Sequence, residues 1–550
     1  PKHRNYASFF KSIREDIGKH PSPKYFIYKS IIIHNLYGVD IMKEAVEICK
    51  LRLFLKLVAQ VEDGNRIEPL PDIDFNIRSG NTLIGFATED EMKRAMQGDL
   101  LAYATVLPEI LEQAEECDRL FNLFREAQLE GDGSLGNAKA KLSGKLDELN
   151  GQLNQYLAFD YGVDPAKPKQ YGAFLESHQP FHWFVEFYGI IKTGGFDAII
   201  GNPPWKEYST VKKTYRVRGY DTESSGNLYG LCSERSATML SPHGFLSFIV
   251  QLPIVSSSRM RSLRDLLLEY GTFVTTMTCD DRPGKLFDGL QHCRSTIFIL
   301  QCRSSSEQTR LWSSGYRRWA TDVRRNLFPL TTYSDAGDDQ VRQNQFPKLA
   351  SSLQVSAYEK VFQRGNSQLA LMTSDRPSNN FGFYQESAQY WVKATVGLPY
   401  YSKNGKVGAP AHGRYLYFKD TQTTRIACAI LNSSLFYTYF VAYGDCFHVS
   451  NALATSIPVP PAAFDDELLA HLGENLMQDL QRNAEKKTIN TKDGSLIAYD
   501  EFRVGASKPI IDEIDRVLAE HYGFTEDELD YIINYDIKYR MGKDLLEGEK

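Results

Sequence analysis

Asn202-Pro203-Pro204-Trp205 directly follows the short apolar run Phe196-Asp197-Ala198-Ile199-Ile200-Gly201. The apolar run reads as a buried strand, and the carboxyl end of a strand in an open α/β sheet is where ligands bind. Two prolines fix the backbone, so the turn can hold the Asn202 amide and the Pro203 carbonyl in one orientation. Those two oxygens can accept both hydrogens of an exocyclic amine, and the Trp205 ring offers a face to a flat base. This chemistry suits methyl transfer to a planar amino group. The alternative is that Pro-Pro merely ends a strand and Trp205 packs in a core; four residues alone leave both open.

A second signal is Asp40 in Tyr37-Gly38-Val39-Asp40-Ile41, at an expected strand end before a helix. An acidic residue there can hydrogen-bond ribose hydroxyls, although Asp is also a common helix cap. Arg78-Ser79-Gly80-Asn81-Thr82-Leu83 stands at the next expected strand end. The elements that position these residues follow from periodicity. Residues 25–60 read as strand then helix, the strand drawing on Ile31-Ile32-Ile33 and the helix on Ala45, Val46, Cys49, Leu53 and Leu57. Residues 244–250 and 295–300 add strands, with a helix over 263–270 between them, so the class is a wound α/β sheet.

Residues 90–180 differ. Leu111, Ala114, Leu120, Leu123 and Phe124, then Leu142, Leu146, Leu149, Leu153 and Leu157, predict amphipathic helices inserted between strands. The glycine run 131–136 between them matches a phosphate-binding pattern but follows a helix, which makes it a turn. From about 335 to 465 the chain is rich in Tyr, Ser, Asn and Gly and reads as an α+β module. The tail is helical over 509–522 and 526–535.

With 42% hydrophobic and 24% charged residues, the 550-residue chain cannot be wholly disordered. Its 63 basic and 69 acidic residues give a net charge of −6, so nucleic acid would be met through local patches. Lys206, Lys212, Lys213, Arg216 and Arg218, interleaved with Tyr208, Tyr215 and Tyr220, form one such patch. A second gathers Arg303, Arg310, Arg317, Arg318, Arg324 and Arg325 around Trp312, Tyr316 and Trp319; solvated surface is the plainer reading of either. The eight cysteines include no C-x-x-C pair, which predicts free thiols in a cytoplasmic protein. Neither Cys446-Phe447-His448 nor the Cys279, His292, Cys293 group has zinc-like spacing, so no metal is expected. Residues 426–444 carry no charge, but their polar and tyrosine content predicts a buried core element rather than a membrane span.

The segments NLYGVDIMKEAVEICKLRLFLKL (35–57), FNIRSGNTLIGF (75–86), FDAIIGNPPW (196–205), NLYGLCSERSATML (227–240), HGFLSFIVQ (243–251), KLFDGLQHCRSTIFIL (285–300) and HYGFTEDELDYIINYDIKYR (521–540) together resemble the gamma-class adenine-specific DNA methyltransferases of restriction-modification and phage-defence systems. The resemblance implies a Rossmann-like methyltransferase sheet, incomplete at its N-terminus, over 1–334 with the helical insertion at about 90–185. A target-recognition domain over 335–465 and a helical region over 466–550 would follow. It implies S-adenosylmethionine as cofactor, held by Asp40 at the ribose, Ile41 against the adenine ring, and Gly80 and Asn81. Asn202 and the Pro203 carbonyl would hold the target N6 amine, with Pro204 bracing the turn and Trp205 and Phe287 stacking on the base. Double-stranded DNA is the implied partner, with a restriction nuclease or other defence subunit alongside.

One departure stands out. The family's glycine-rich cofactor loop is absent, residues 1–34 containing only Gly18. Truncation is the favoured expectation, and the fragment by itself is then expected to be inactive. The alternatives are a DNA-binding or specificity subunit without catalysis, and a methyltransferase acting on RNA or protein.

Overall fold

The computed structural model describes residues 11–542 apart from 12–13, 16, 19, 62–68, 97–99, 131–134, 288–292 and 305–307. The chain divides into two compact units. One comprises Pro1–Ile199 with Pro204–Leu246, the other Ile200–Pro203 with Ser247–Lys550.

The first unit opens with helix α1 (Pro23–Asn35), strand β1 (Gly38–Asp40) and helix α2 (Lys43–Val58). Ile31–Ile33 are therefore helical, which corrects the strand expected there. Pro23 sits in the first helical turn, where its missing N–H costs nothing. Tyr25, Lys29, Ile32 and Ile33 then recur at helical spacing and are buried. The strand is confined to the three residues that pair in parallel with β2 (Ile77–Ser79), Asp40 lying opposite Ser79. Tyr25, Ile32, Val46, Leu57, Ile73 and Ile77 close a small core beneath this pair.

Helices α3 (Glu89–Met96), α4 (Leu100–Glu130), α5 (Leu135–Asp160) and α6 (Pro168–His178) occupy the stretch expected to be helical. Leu142, Leu146, Leu149, Leu153 and Leu157 are all buried on one face of α5, as their spacing predicts. The turn expected at 131–136 falls largely outside the described residues. Strand β3 (Phe196–Gly201), helix α7 (Leu228–Ala237) and strand β4 (Leu240–Gln251) follow.

In the second unit, helix α8 (Arg261–Tyr270) leads into β5 (Gly271–Cys279), then β6 (Ser295–Cys302), β7 (Arg310–Arg317) and the two-residue β8 (Ser334–Asp335). The strand order is β3-β4-β6-β5-β7-β8, with β5 antiparallel to β6 and parallel to β7. The fold is thus mixed α/β. Sequence periodicity did not point to β5, because Thr275, Thr276 and Thr278 dilute its apolar pattern; Thr276 and Thr278 are nonetheless buried.

Further along, strands 373–374, 413–418, 381–385 and 394–396 form an antiparallel sheet in that order. Helices α9 (Thr421–Asn432) and α10 (Ser434–Tyr443) are bent 62° apart. Every residue of α10 is buried, so the uncharged run is core, as expected. Among the described residues no single helix is long and apolar enough to cross a membrane. Helices 508–522 and 526–534 close the chain where helical spacing placed them.

Candidate functional site

Asp40 ends β1 with its carboxylate exposed, and its Oδ1 accepts the Met42 N–H at 2.8 Å. The backbone carries the strand pairing one step further, the Gly80 N–H donating to the Asp40 carbonyl at 2.9 Å. Ile41, beside the carboxylate, is 40% exposed, an uncovered apolar side chain next to an acidic one. Asn81 is buried and its Oδ1 already accepts the Leu83 N–H at 3.2 Å. Its Nδ2 has no hydrogen-bond partner among the described residues. As oriented, Asn81 has its amide oxygen engaged and its amide N–H groups without a partner among the described residues.

Gly80 has a reason that sequence could not supply. A Cβ there would lie 2.8 Å from the Cβ of Phe181 and 2.9 Å from its Cδ2. Gly80→Ala is therefore expected to destabilise the protein by about 1–3 kcal/mol, the cost of overpacking a filled site. Thermal unfolding of the variant checks this, and an unchanged melting temperature would show that Phe181 yields.

The residue after Phe181 fixes the loop that carries Asn81. His182 Nδ1 accepts the Phe86 N–H at 3.2 Å, which leaves Nε2 to donate to Asn154 Oδ1 at 3.1 Å. Burial, with a smaller push from Arg235, lowers its pKa to about 3 from the ordinary 6.5. The unfolded chain binds this proton at pH values where the folded one does not. The stability held by neutral His182 is thus complete above about pH 6.5 and is lost progressively as the pH falls towards 3. Unfolding of the wild type and His182→Gln across this range is expected to show a smaller acid loss in the variant.

Beyond β3, Asn202 is exposed, Pro203 buried, Pro204 exposed and Trp205 half-buried. Gly201 admits the ring of Phe248, whose Cε1 would be 3.0 Å from an added Cβ. After the turn, the Leu228 N–H donates to the Lys206 carbonyl and the Tyr208 N–H to the Gly226 carbonyl, both at 2.9 Å. Asn227 caps α7. In α7, Arg235 grips both oxygens of Glu91 at 2.7 Å and donates to the Tyr220 hydroxyl, which itself donates to the Leu83 carbonyl. This buried relay reaches the segment holding Asn81. No sequence spacing announced Phe181, His182 or Arg235, because the contacts that tie them to the 80–91 segment reach about a hundred residues or more along the chain.

Residues 34–283 match the Eco57I restriction-modification methylase family. The matched segment contains Asp40, Gly80, Asn81 and the whole Asn202–Trp205 turn. A candidate type II restriction enzyme and methyltransferase from Methanocaldococcus jannaschii is 30% identical over 43% of this chain and 24% of its own length. The chain therefore spans about a quarter of that curated relative. Among solved structures, the type IIL restriction-modification enzyme MmeI in complex with DNA aligns over 96% of this chain and 78% of its own, at 10% identity and TM-score 0.37. A candidate class I S-adenosylmethionine-dependent methyltransferase from Listeria monocytogenes aligns over 34% and 59%, at 17% identity and TM-score 0.19. At these TM-scores neither likeness establishes a shared fold.

After the Asn202–Trp205 turn, Lys206, Lys212, Lys213, Arg216 and Arg218 are all exposed. Lys212 pairs with Glu223 at 3.1 Å and Arg218 with Asp160 at 3.8 Å. Tyr208 and Tyr215 are buried and Tyr220 is engaged in the relay, so the tyrosines expected to interleave this patch serve packing instead. In the second basic cluster Arg310, Arg324 and Arg325 are exposed, whereas two others are tied into the fold. Arg303 holds the carbonyls of Leu268 and Gly271, and Arg318 is buried in ion pairs. Phe287 is half-buried; His292 lies outside the described residues. All eight cysteines are free, as predicted. No metal-binding cluster occurs among the described residues.

Among the described residues β1 pairs only with β2, and β3 is the outer strand in its order. A cavity of about 580 Å³ lies at the amino ends of both strands, lined by Tyr37 and by Phe196, Asp197 and Ala198. Ligands of open sheets bind at the opposite, carboxyl ends, so this cavity is not the candidate site.

Proposed function

We propose that this chain is the methyltransferase part of a restriction-modification system, transferring a methyl group from S-adenosylmethionine to adenine N6 in duplex DNA. The observation that carries this reading is the Asn202-Pro203-Pro204-Trp205 turn at the carboxyl end of β3, within a segment matching the Eco57I restriction-modification methylase family. The likeness to a methyltransferase from Methanocaldococcus jannaschii supports it.

The residues of the first unit suit the adenosine half of the cofactor. Asp40 presents an exposed carboxylate for two ribose hydroxyls, Ile41 an apolar surface for the ring, and the unpaired Asn81 Nδ2 a donor for a ring nitrogen. When bound, S-adenosylmethionine supplies an electrophilic methyl on its sulfonium. The target adenine must leave the duplex to reach any such site. Asn202 Oδ1 and the Pro203 carbonyl accept the two N6 hydrogens and so favour a pyramidal nitrogen, whose lone pair is then free. Trp205 and Phe287 hold the ring faces, and exposed Lys206, Lys212, Lys213, Arg216 and Arg218 meet phosphates. The site works by positioning, with no metal and no covalent intermediate. The region over 335–465 is read as the target-recognition domain.

The test is transfer of labelled methyl from S-adenosylmethionine to DNA by the full gene product, with identification of the modified base. N6-methyladenine is expected; label in protein or RNA but not DNA would overturn the reading.

A further inference from the structure

The second unit contains a cavity of about 300 Å³ at the end of β4 and just beyond β5, the ligand edge of the sheet. One wall is Asp281, whose side chain is only 5% exposed. Its Oδ1 is buried and accepts no hydrogen bond among the described residues, the Arg294 guanidinium standing off at 3.9 Å. A buried carboxylate oxygen left without a donor is costly, so a ligand that brings an N–H to it is favoured.

Another part of the lining, Asp445 to His448, is held in place by its own hydrogen bonds. Asp445 Oδ1 accepts the backbone N–H groups of Phe447 and His448 at 2.8 and 2.6 Å, and its other oxygen lies 3.3 Å from His448 Nδ1. The Phe447 and His448 rings meet edge to face, with centroids 4.4 Å apart, and the Arg294 guanidinium lies over Phe447. Arg282 also lines the cavity, its Nε 4.0 Å from the other oxygen of Asp281. A planar ring carrying an amino donor beside a ring-nitrogen acceptor satisfies such a set; adenine and cytosine have that edge. Thymine does not, since its single ring N–H is flanked by two carbonyls that would face the carboxylate.

We propose that this cavity receives an unpaired adenine or cytosine of a DNA strand, its amino group donating to Asp281 and its ring lying against Phe447 and His448. The proposal rests on the reading of the protein as a DNA-acting enzyme, and is independent of which base is methylated.

Cys293 lines the same cavity and is half-buried, which makes it a reporter. Its alkylation by iodoacetamide in the full chain is followed by mass spectrometry with saturating oligo(dA), oligo(dC) or oligo(dT), and half-buried Cys302 serves as internal control. Oligo(dA) and oligo(dC) are expected to protect Cys293 about tenfold better than oligo(dT), the discrimination of one well-matched base edge. The isosteric Asp281→Asn should erase that preference, and His448→Ala should weaken protection by all three. Equal protection by the three strands, or unprotected Cys293 while a gel shift shows DNA bound, would overturn the proposal and leave the methyltransferase reading standing. Absence of any DNA binding would defeat both.

Discussion

Asn202→Ala is expected to reduce methyl transfer to DNA on the order of a hundred- to a thousand-fold, the range seen when one pre-organised hydrogen-bonding group is removed from a reacting centre. DNA affinity should change little, because in the proposed mechanism the amide touches only the extruded base, while the exposed lysines and arginines after the turn meet the phosphates. The backbone should tolerate the change. Asn202 is exposed and caps no element, whereas the turn is braced by buried Pro203 and by the pairing of Lys206 with Leu228. Labelled methyl incorporation, measured beside a gel shift on the same preparation, separates the two effects. Transfer at the wild-type rate would remove Asn202 from the mechanism.

Arg318→Ala is expected to cost about 3–5 kcal/mol of stability, because breaking a buried ion pair leaves charge uncompensated. The guanidinium is 3% exposed, lies 3.1 Å from Asp280 Oδ2 and also pairs with Asp536. It stacks near the rings of Tyr316, Tyr390 and Tyr539, at 4.9, 5.3 and 5.7 Å. Burial opposes its charge, but Tyr437, Asp536, Tyr316 and Asp280 together outweigh burial and raise its pKa. In sequence this residue stands among six arginines and three aromatics, where a phosphate contact was an open reading. The two roles separate cleanly. A structural Arg318 lowers the melting temperature when removed, whereas a phosphate contact would leave stability intact and reduce the salt dependence of DNA binding by about one ion.

The parts of the candidate site legible in the sequence were those decided locally. A proline pair after an apolar run must turn the chain, whatever surrounds it, and Gly38-Val39-Asp40 before a helix-forming stretch must end a short strand. Leu142, Leu146, Leu149, Leu153 and Leu157 of α5 recur at helical spacing, and all five are buried. Such features depend on neighbours within a turn or two, so one sequence suffices to place them.

Tertiary structure decided the rest, since burial is set by residues far along the chain. Ile31–Ile33 could serve as strand or helix; the packing of Tyr25 and Ile32 on one face of α1 with Val46 and Leu57 of α2 chose helix. That a Cβ at Gly80 would run into Phe181, and that the Asn81 oxygen accepts the Leu83 N–H, are facts of the fold alone. Tyr208, Tyr215 and Arg318 look like nucleic-acid contacts in one dimension and prove to be core. Spacing along a chain reports which residues share a face, but only the folded chain determines what that face meets.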